Sequence, residues 1–120
     1  MMYIKNLDWI SKSAEEAELV VTDDTYICIV FSQPCKYQEG DKLLEPLHAF
    51  MAENLMISYE LNFKLERISN FEHRCVARVT DIDENLVRIG DISVKLDVNI
   101  PSWAENGSLI EFECCRIDLW

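Results

Sequence analysis

The clearest regularity in the chain is an alternation of apolar and polar residues with a period of two. Ile92, Val94, Leu96 and Val98 alternate with Ser93, Lys95 and Asp97, the pattern of a strand with one face buried. Leu86-Val87-Arg88-Ile89 precedes it and is joined to it through Gly90-Asp91, a tight-turn signal that predicts a hairpin. Cys75, Ala77 and Val79 share one face of a further strand, which runs into the polar turn Asp81-Ile82-Asp83-Glu84-Asn85. Earlier in the chain, Ala17 to Thr22 and Thr25 to Ser32 flank Asp23-Asp24 in the same way. The second of these strands is apolar on both faces, which predicts cover on both sides.

Two stretches are harder to read. Between Leu109 and Trp120, Ile110, Phe112 and Cys114 share one parity and Ile117 and Leu119 the other. A β-bulge near Cys114-Cys115 would reconcile them, leaving the final aromatic residue at a sheet edge. From Glu45 to Ser58, Pro46 suits a first helical position and Leu47, Phe50 and Met51 have helical spacing. A strand from Leu43 to about Phe50 is preferred, with at most one helical turn near Ala52 to Leu55, because propensity yields to tertiary pattern. Glu60 to Asn70 reads as a connector.

The preference for a strand rests on an internal repeat. Leu19-Val20 through Pro34 to Gly40 falls without a gap on Leu86-Val87 through Pro101 to Gly107, 67 residues later. Asp24 matches Asp91, Ile27 matches Val94, and Pro-x5-Gly recurs at the same place in each copy. Proline ends a strand and glycine turns the chain back, so equal spacing predicts equal loops. The expected fold is therefore mainly β. Residues 1–120 form a single β-rich domain of about eight strands in two four-strand units, pseudo-repeats over about 3–58 and 70–120. A small OB-like barrel or a sandwich would protect the strand edges.

Composition refines this picture. An apolar fraction of 49% in 120 residues supports a real core, and three Gly with three Pro argue against disorder. No basic start followed by an apolar run marks a signal peptide, and no apolar stretch is long enough to span a membrane. A cytoplasmic location is expected. Five cysteines without CxxC spacing fit free, mostly buried thiols in a reducing compartment. Twenty-two Asp and Glu against eleven Lys and Arg give a net charge of −11. That field repels nucleic-acid phosphates and anionic membranes, so neither is an expected partner. It attracts cationic surfaces.

Catalytic chemistry is not signalled. HExxH, GxSxG, P-loop and dinucleotide patterns do not occur. His48 and His73 are the only histidines; His73 shares a strand face with Cys75 but has no orienting third group. Asp81-x-Asp83-x-Asn85 opens like a calcium loop, then places Leu86 where glycine is needed. No catalytic, metal or cofactor residue is assigned, no cofactor is expected, and the protein is read as a non-enzyme. Of three tryptophans, Trp103 in a polar loop is the expected exposed one, with Tyr37 in the matching loop.

The segment Val87-Arg88-Ile89-Gly90-Asp91-Ile92, then Leu96-Asp97, Pro101, Gly107 and Phe112 through Leu119, resembles small uncharacterised bacterial β-rich proteins. Small, acidic, cytosolic proteins of that type include immunity proteins of bacterial toxin systems, and the resemblance is structural only. With the net charge, it leads to the expectation of an acidic inhibitor of a basic toxin domain such as a nuclease; a monomer or weak homodimer is expected. The expected contacts are Glu39, Asp41, Asp81, Asp83, Glu84 and Glu105, with Tyr37 and Trp103 as apolar anchors. The alternatives are a β-barrel module binding a small molecule or peptide in its mouth, and a structural subunit self-associating through the Leu109–Trp120 edge.

Overall fold

The computed structural model describes all residues, Met1 to Trp120. Eleven strands follow one another: β1 Tyr3–Ser11, β2 Glu16–Thr22, β3 Ile27–Ser32, β4 Leu47–Phe50, β5 Glu53–Ile57, β6 Lys64–Ser69, β7 Glu72–Asp81, β8 Leu86–Ile89, β9 Ile92–Leu96, β10 Leu109–Cys114 and β11 Arg116–Asp118. All belong to one sheet, in the order β1-β2-β3-β11-β4-β9-β8-β7-β10-β5, with β6 also paired to β7. The mainly β expectation holds at that level.

The finer expectations do not. There are eleven strands where about eight were expected, no helix, and an open sheet in place of a closed OB-like barrel or a sandwich. The two four-strand units are absent for a topological reason. The meander β1-β2-β3 takes its next neighbour from the other half of the chain, since β11 lies parallel to β3. The meander β9-β8-β7 does likewise, since β4 lies parallel to β9. Antiparallel pairing of β4 with β11 closes the middle of the sheet. Neither half completes its sheet alone.

What the repeat does produce is a pair of matching loops. The Gly40 N–H donates to the Ile4 carbonyl and the Gly107 N–H to the Val79 carbonyl. Ile4 in turn donates to Asp41, and Val79 to Ser108. Inside the loops, Gln38 N–H donates to Asp41 Oδ2 at 2.9 Å and Glu105 N–H to Ser108 Oγ at 3.0 Å. Both glycines have positive φ, +90° and +94°. In the strands the match slips by one residue. Val21 pairs with Cys28 as Val87 pairs with Val94, so Cys28 is the counterpart of Val94. Ile27, which the sequence alignment sets against Val94, is half exposed. A one-residue slip sends a side chain to the opposite face of a sheet.

Alternation decides the core. Twenty-eight of the 32 buried residues are apolar, and most come from one face of β2, β3, β4, β7, β8, β9, β10 and β11. Ile4 of β1, Val76 on the other face of β7 and loop residues such as Leu43, Ile100 and Leu119 complete the set. Aromatic residues are mostly kept out of it, Phe112 being the one that is buried. The phase change after Cys114 is a corner, where a bulge was expected. The exposed Cys115 donates its N–H to the Phe50 carbonyl as the chain leaves β7 and β5 for β4 and β3. β10 and β11 therefore lie inside the sheet, and the free edges belong to β1, β5 and β6. Within the expected 60–70 connector, Lys64–Ser69 forms β6, whose mostly exposed residues show no alternation.

His73 closes a gap in the backbone pairing. β11 is only three residues long and meets β3 at Phe31, leaving the Ile29 N–H beyond its reach. Nε2 of the fully buried His73 accepts that proton at 3.2 Å, so Nδ1 carries the ring hydrogen and donates to the Phe71 carbonyl at 2.9 Å. Burial first, and the nearby Arg67 charge as well, push the imidazole pKa down against the opposing Phe71 bond.

Candidate functional site

The eight residues expected to contact a partner fall into two separate groups. Tyr37, Glu39 and Asp41 lie in the first Pro-x5-Gly loop, beside the edge strand β1. Tyr37 and Glu39, with Leu7, Trp9 and Gln38, line an open groove of about 530 Å³; Asp41 does not. Their polar atoms are largely engaged. Glu39 Oε1 accepts the Leu7 N–H, Asp41 Oδ2 accepts the Gln38 N–H, and the Tyr37 hydroxyl donates to the Trp120 carbonyl. Lys36 and Lys42 are sequence neighbours of this group, and Lys5 lies on β1. Lys36 pairs with Glu15, and none of the three pairs with Glu39 or Asp41. A lysine on an edge strand, as Lys5 is on β1, commonly blocks further strand pairing.

The second group is different. Asp81, Asp83 and Glu84 form the β7–β8 turn, and Trp103 and Glu105 sit in the second Pro-x5-Gly loop. Side-chain amides lock the turn and loop together. Asn106 Oδ1 accepts the Ile82 N–H at 2.8 Å and Asn85 Oδ1 accepts the Ile100 N–H at 2.9 Å. Asn85 Nδ2 also reaches Asn99 Oδ1. Asp81 Oδ1 ties its own turn by accepting the N–H groups of Asp83 and Glu84. These bonds account for the calcium-like spacing as turn chemistry. Residues 80–85 and 97–109 contain five carboxylates and no lysine or arginine. Trp103, 46% exposed, stands on this platform.

Ion pairing leaves the acid excess in place. Seven of the 22 carboxylates meet a cationic group: Glu15, Glu18, Glu60, Glu84, Asp91, Glu113 and Asp118. Among the expected contacts only Glu84 is paired, with Lys95 at 3.3 Å. Asp81, Asp83 and Glu105 on the platform have no ion-pair partner.

The sequence reading missed a third feature, on the outer face of the four central strands. Strand pairing sets Phe50 opposite Arg116 and His48 opposite Asp118, with Lys95 next to His48 on β9. The Arg116 guanidinium lies 4.5 Å from the Phe31 ring centroid and 5.2 Å from that of Phe50. It forks onto both oxygens of Asp118, at 2.7 and 3.1 Å. Trp120 folds back over His48 with ring centroids 3.6 Å apart and planes within 6°. Burial chiefly, with Lys95 adding to it and Asp118 opposing, holds His48 below the ordinary histidine pKa. Trp120, 74% exposed, is the most open tryptophan, where Trp103 was expected to be. The available signal was the alternation itself: once the buried parity of β4 and β11 is fixed, His48, Phe50, Arg116 and Asp118 must share the outer face.

Four of the five cysteines are buried, Cys115 is exposed, and all are free thiols. Every buried side-chain nitrogen and oxygen has a hydrogen-bond partner. No helix is long and apolar enough to cross a membrane. The barrel mouth of the ligand-binding alternative has no counterpart in an open sheet, and the Leu109–Trp120 edge of the self-association alternative is occupied on both sides. No protein-family description, curated protein or solved structure matches the chain.

Proposed function

We propose that the protein is a non-enzymatic acidic binding protein, an immunity-type inhibitor that covers the basic groove of a toxin domain such as a nuclease. The observation that carries this reading is the platform of Asp81, Asp83, Glu84, Trp103 and Glu105. Its carboxylates are rigidly presented, only one is neutralised in an ion pair, and an exposed indole stands among them. A groove that binds phosphates must be cationic, so an acidic plug gains both steering and register. The indole supplies the apolar anchor that a charged contact lacks. The first loop, with Tyr37, Glu39 and Asp41, is the weaker candidate because its polar atoms are spent on holding the loop to β1 and Trp120.

The experiment is capture from a lysate at low and high salt. The intact protein is compared with an Asp81→Lys/Asp83→Lys/Glu105→Lys variant, followed by assay of any retained protein for nuclease activity. The expected result is a basic protein held by the wild type at low salt only, lost in the variant, and inactive while bound. Retention that ignores salt and charge reversal, or a bound nuclease that stays active, refutes the reading.

A further inference from the structure

Beyond Phe50, on the side towards β9, lies a cavity of about 270 Å³ bordered by Phe50, Trp120, His48, Lys95, Asp97 and Asp118. Its ingredients repeat those that hold Arg116 on the same face. Arg116 is bracketed by two aromatic rings and forked to a carboxylate. The cavity offers the exposed rings of Phe50 and Trp120, 46% and 74% open, with the carboxylates of Asp97 and Asp118 at its rim. Aromatic faces attract cations, and a guanidinium adds planar stacking and a fork of five donors that an ammonium lacks.

The charges already present do not oppose this. Lys95 borders the cavity, but its ammonium is paired with Glu84 at 3.3 Å. Asp118 is already forked by Arg116, which leaves Asp97 as the rim carboxylate with no ion-pair partner. Asp97 accepts one backbone N–H on each oxygen, from Met51 at 2.7 Å and Ala52 at 3.0 Å. Each carboxylate oxygen has a second lone pair available. His48 backs the Trp120 indole as a neutral ring. The Lys95–Glu84 pair also links a residue bordering the cavity to one of the acidic platform.

We propose that this cavity receives an arginine side chain, presented by the same cationic partner that sits on the platform. The identity of the partner rests on the functional reading above; the chemistry of the cavity does not. The test uses the full chain and L-argininamide as probe, followed by NMR at the Trp120 indole N–H and the His48 ring. L-lysinamide and neutral benzamide serve as comparisons. Saturable shifts are expected, with lysinamide weaker and benzamide weaker still. Trp120→Ala, at an exposed position and with its fold checked by circular dichroism, lowers the argininamide affinity about fivefold. Benzamide binding as well as argininamide, or an unchanged argininamide response in Trp120→Ala, overturns the proposal. Two further outcomes separate it from the functional reading. Argininamide binding without capture of any basic protein leaves the cavity and removes the inhibitor. Capture that depends on the platform but is untouched by Trp120→Ala leaves the inhibitor and removes the cavity.

Discussion

Gly90 is where the two hairpin tips meet, and a single methyl group there has a cost that can be worked out from the geometry. Gly90 turns β8 into β9 with φ of +58°. A Cβ added to it comes within 2.5 Å of Asp23 Oδ2 and about 3 Å of the Tyr26 ring edge. That Asp23 oxygen accepts the Asp91 N–H at 2.8 Å, while Oδ1 accepts the N–H groups of Thr25 and Tyr26. Alanine in the left-handed region costs about 1–2 kcal/mol. Losing a charge-assisted bond at this half-buried site adds about 1.5 kcal/mol. Gly90→Ala is thus expected to cost about 3 kcal/mol, which for a chain of this length lowers Tm by about 12 °C. Gly107 is the built-in control. Its φ is +94° but nothing lies within 4 Å of an added Cβ, so Gly107→Ala has only the backbone cost. Thermal melts of Gly90→Ala, Asp23→Ala and the double variant isolate the contact, because with the carboxylate gone the methyl group has less to displace. The double variant is expected to lose about 1.5 kcal/mol less than the sum of the singles. Full additivity, or a Gly90→Ala no worse than Gly107→Ala, would falsify this account of the latch.

Three further predictions follow from single side chains. His73 has a folded pKa below its ordinary 6.5, so the unfolded chain binds the extra proton first. Its contribution to stability is complete above that value and declines as pH falls below it, a dependence that denaturant titrations should find diminished in His73→Phe. The same variant leaves the Ile29 N–H without an acceptor and should cost about 1–3 kcal/mol at neutral pH. Burial acts to raise the Asp23 carboxyl, yet the Asp91, Tyr26 and Thr25 N–H donors outweigh it and hold the group below 3.8. Stability from Asp23 is therefore present above that pH and lost as pH falls through the folded value, a second acid limb that Asp23→Ala should remove. Among the thiols, only Cys115 should react with a thiol reagent in the native state, against all five after denaturation; more than one fast native reaction would contradict the burial of the others.

The period-two patterns determined much on their own: strands β2, β3, β7, β8 and β9, the hairpin at Gly90-Asp91, and the parity that buries Cys75, Ala77, Val79, Val94 and Leu96. Those features were legible because alternation and turn chemistry act between neighbours in the chain. The matching Pro-x5-Gly loops were legible for the same reason. β1 and β6 were not, since strands at or near an edge have little to bury and their residues need not alternate. Nor could a local pattern reveal that β4 and β11 exchange between the halves, because side-chain alternation fixes a strand's faces and leaves its lateral neighbours open. That exchange is a tertiary choice, made by pairing between strand edges far apart in the chain. It brings His48, Phe50, Arg116, Asp118 and Trp120 together on the outer face from segments nearly seventy residues apart. It also leaves the two acidic loops in unlike surroundings, the first beside the edge strand β1 and the second locked to the β7–β8 turn through Asn85 and Asn106.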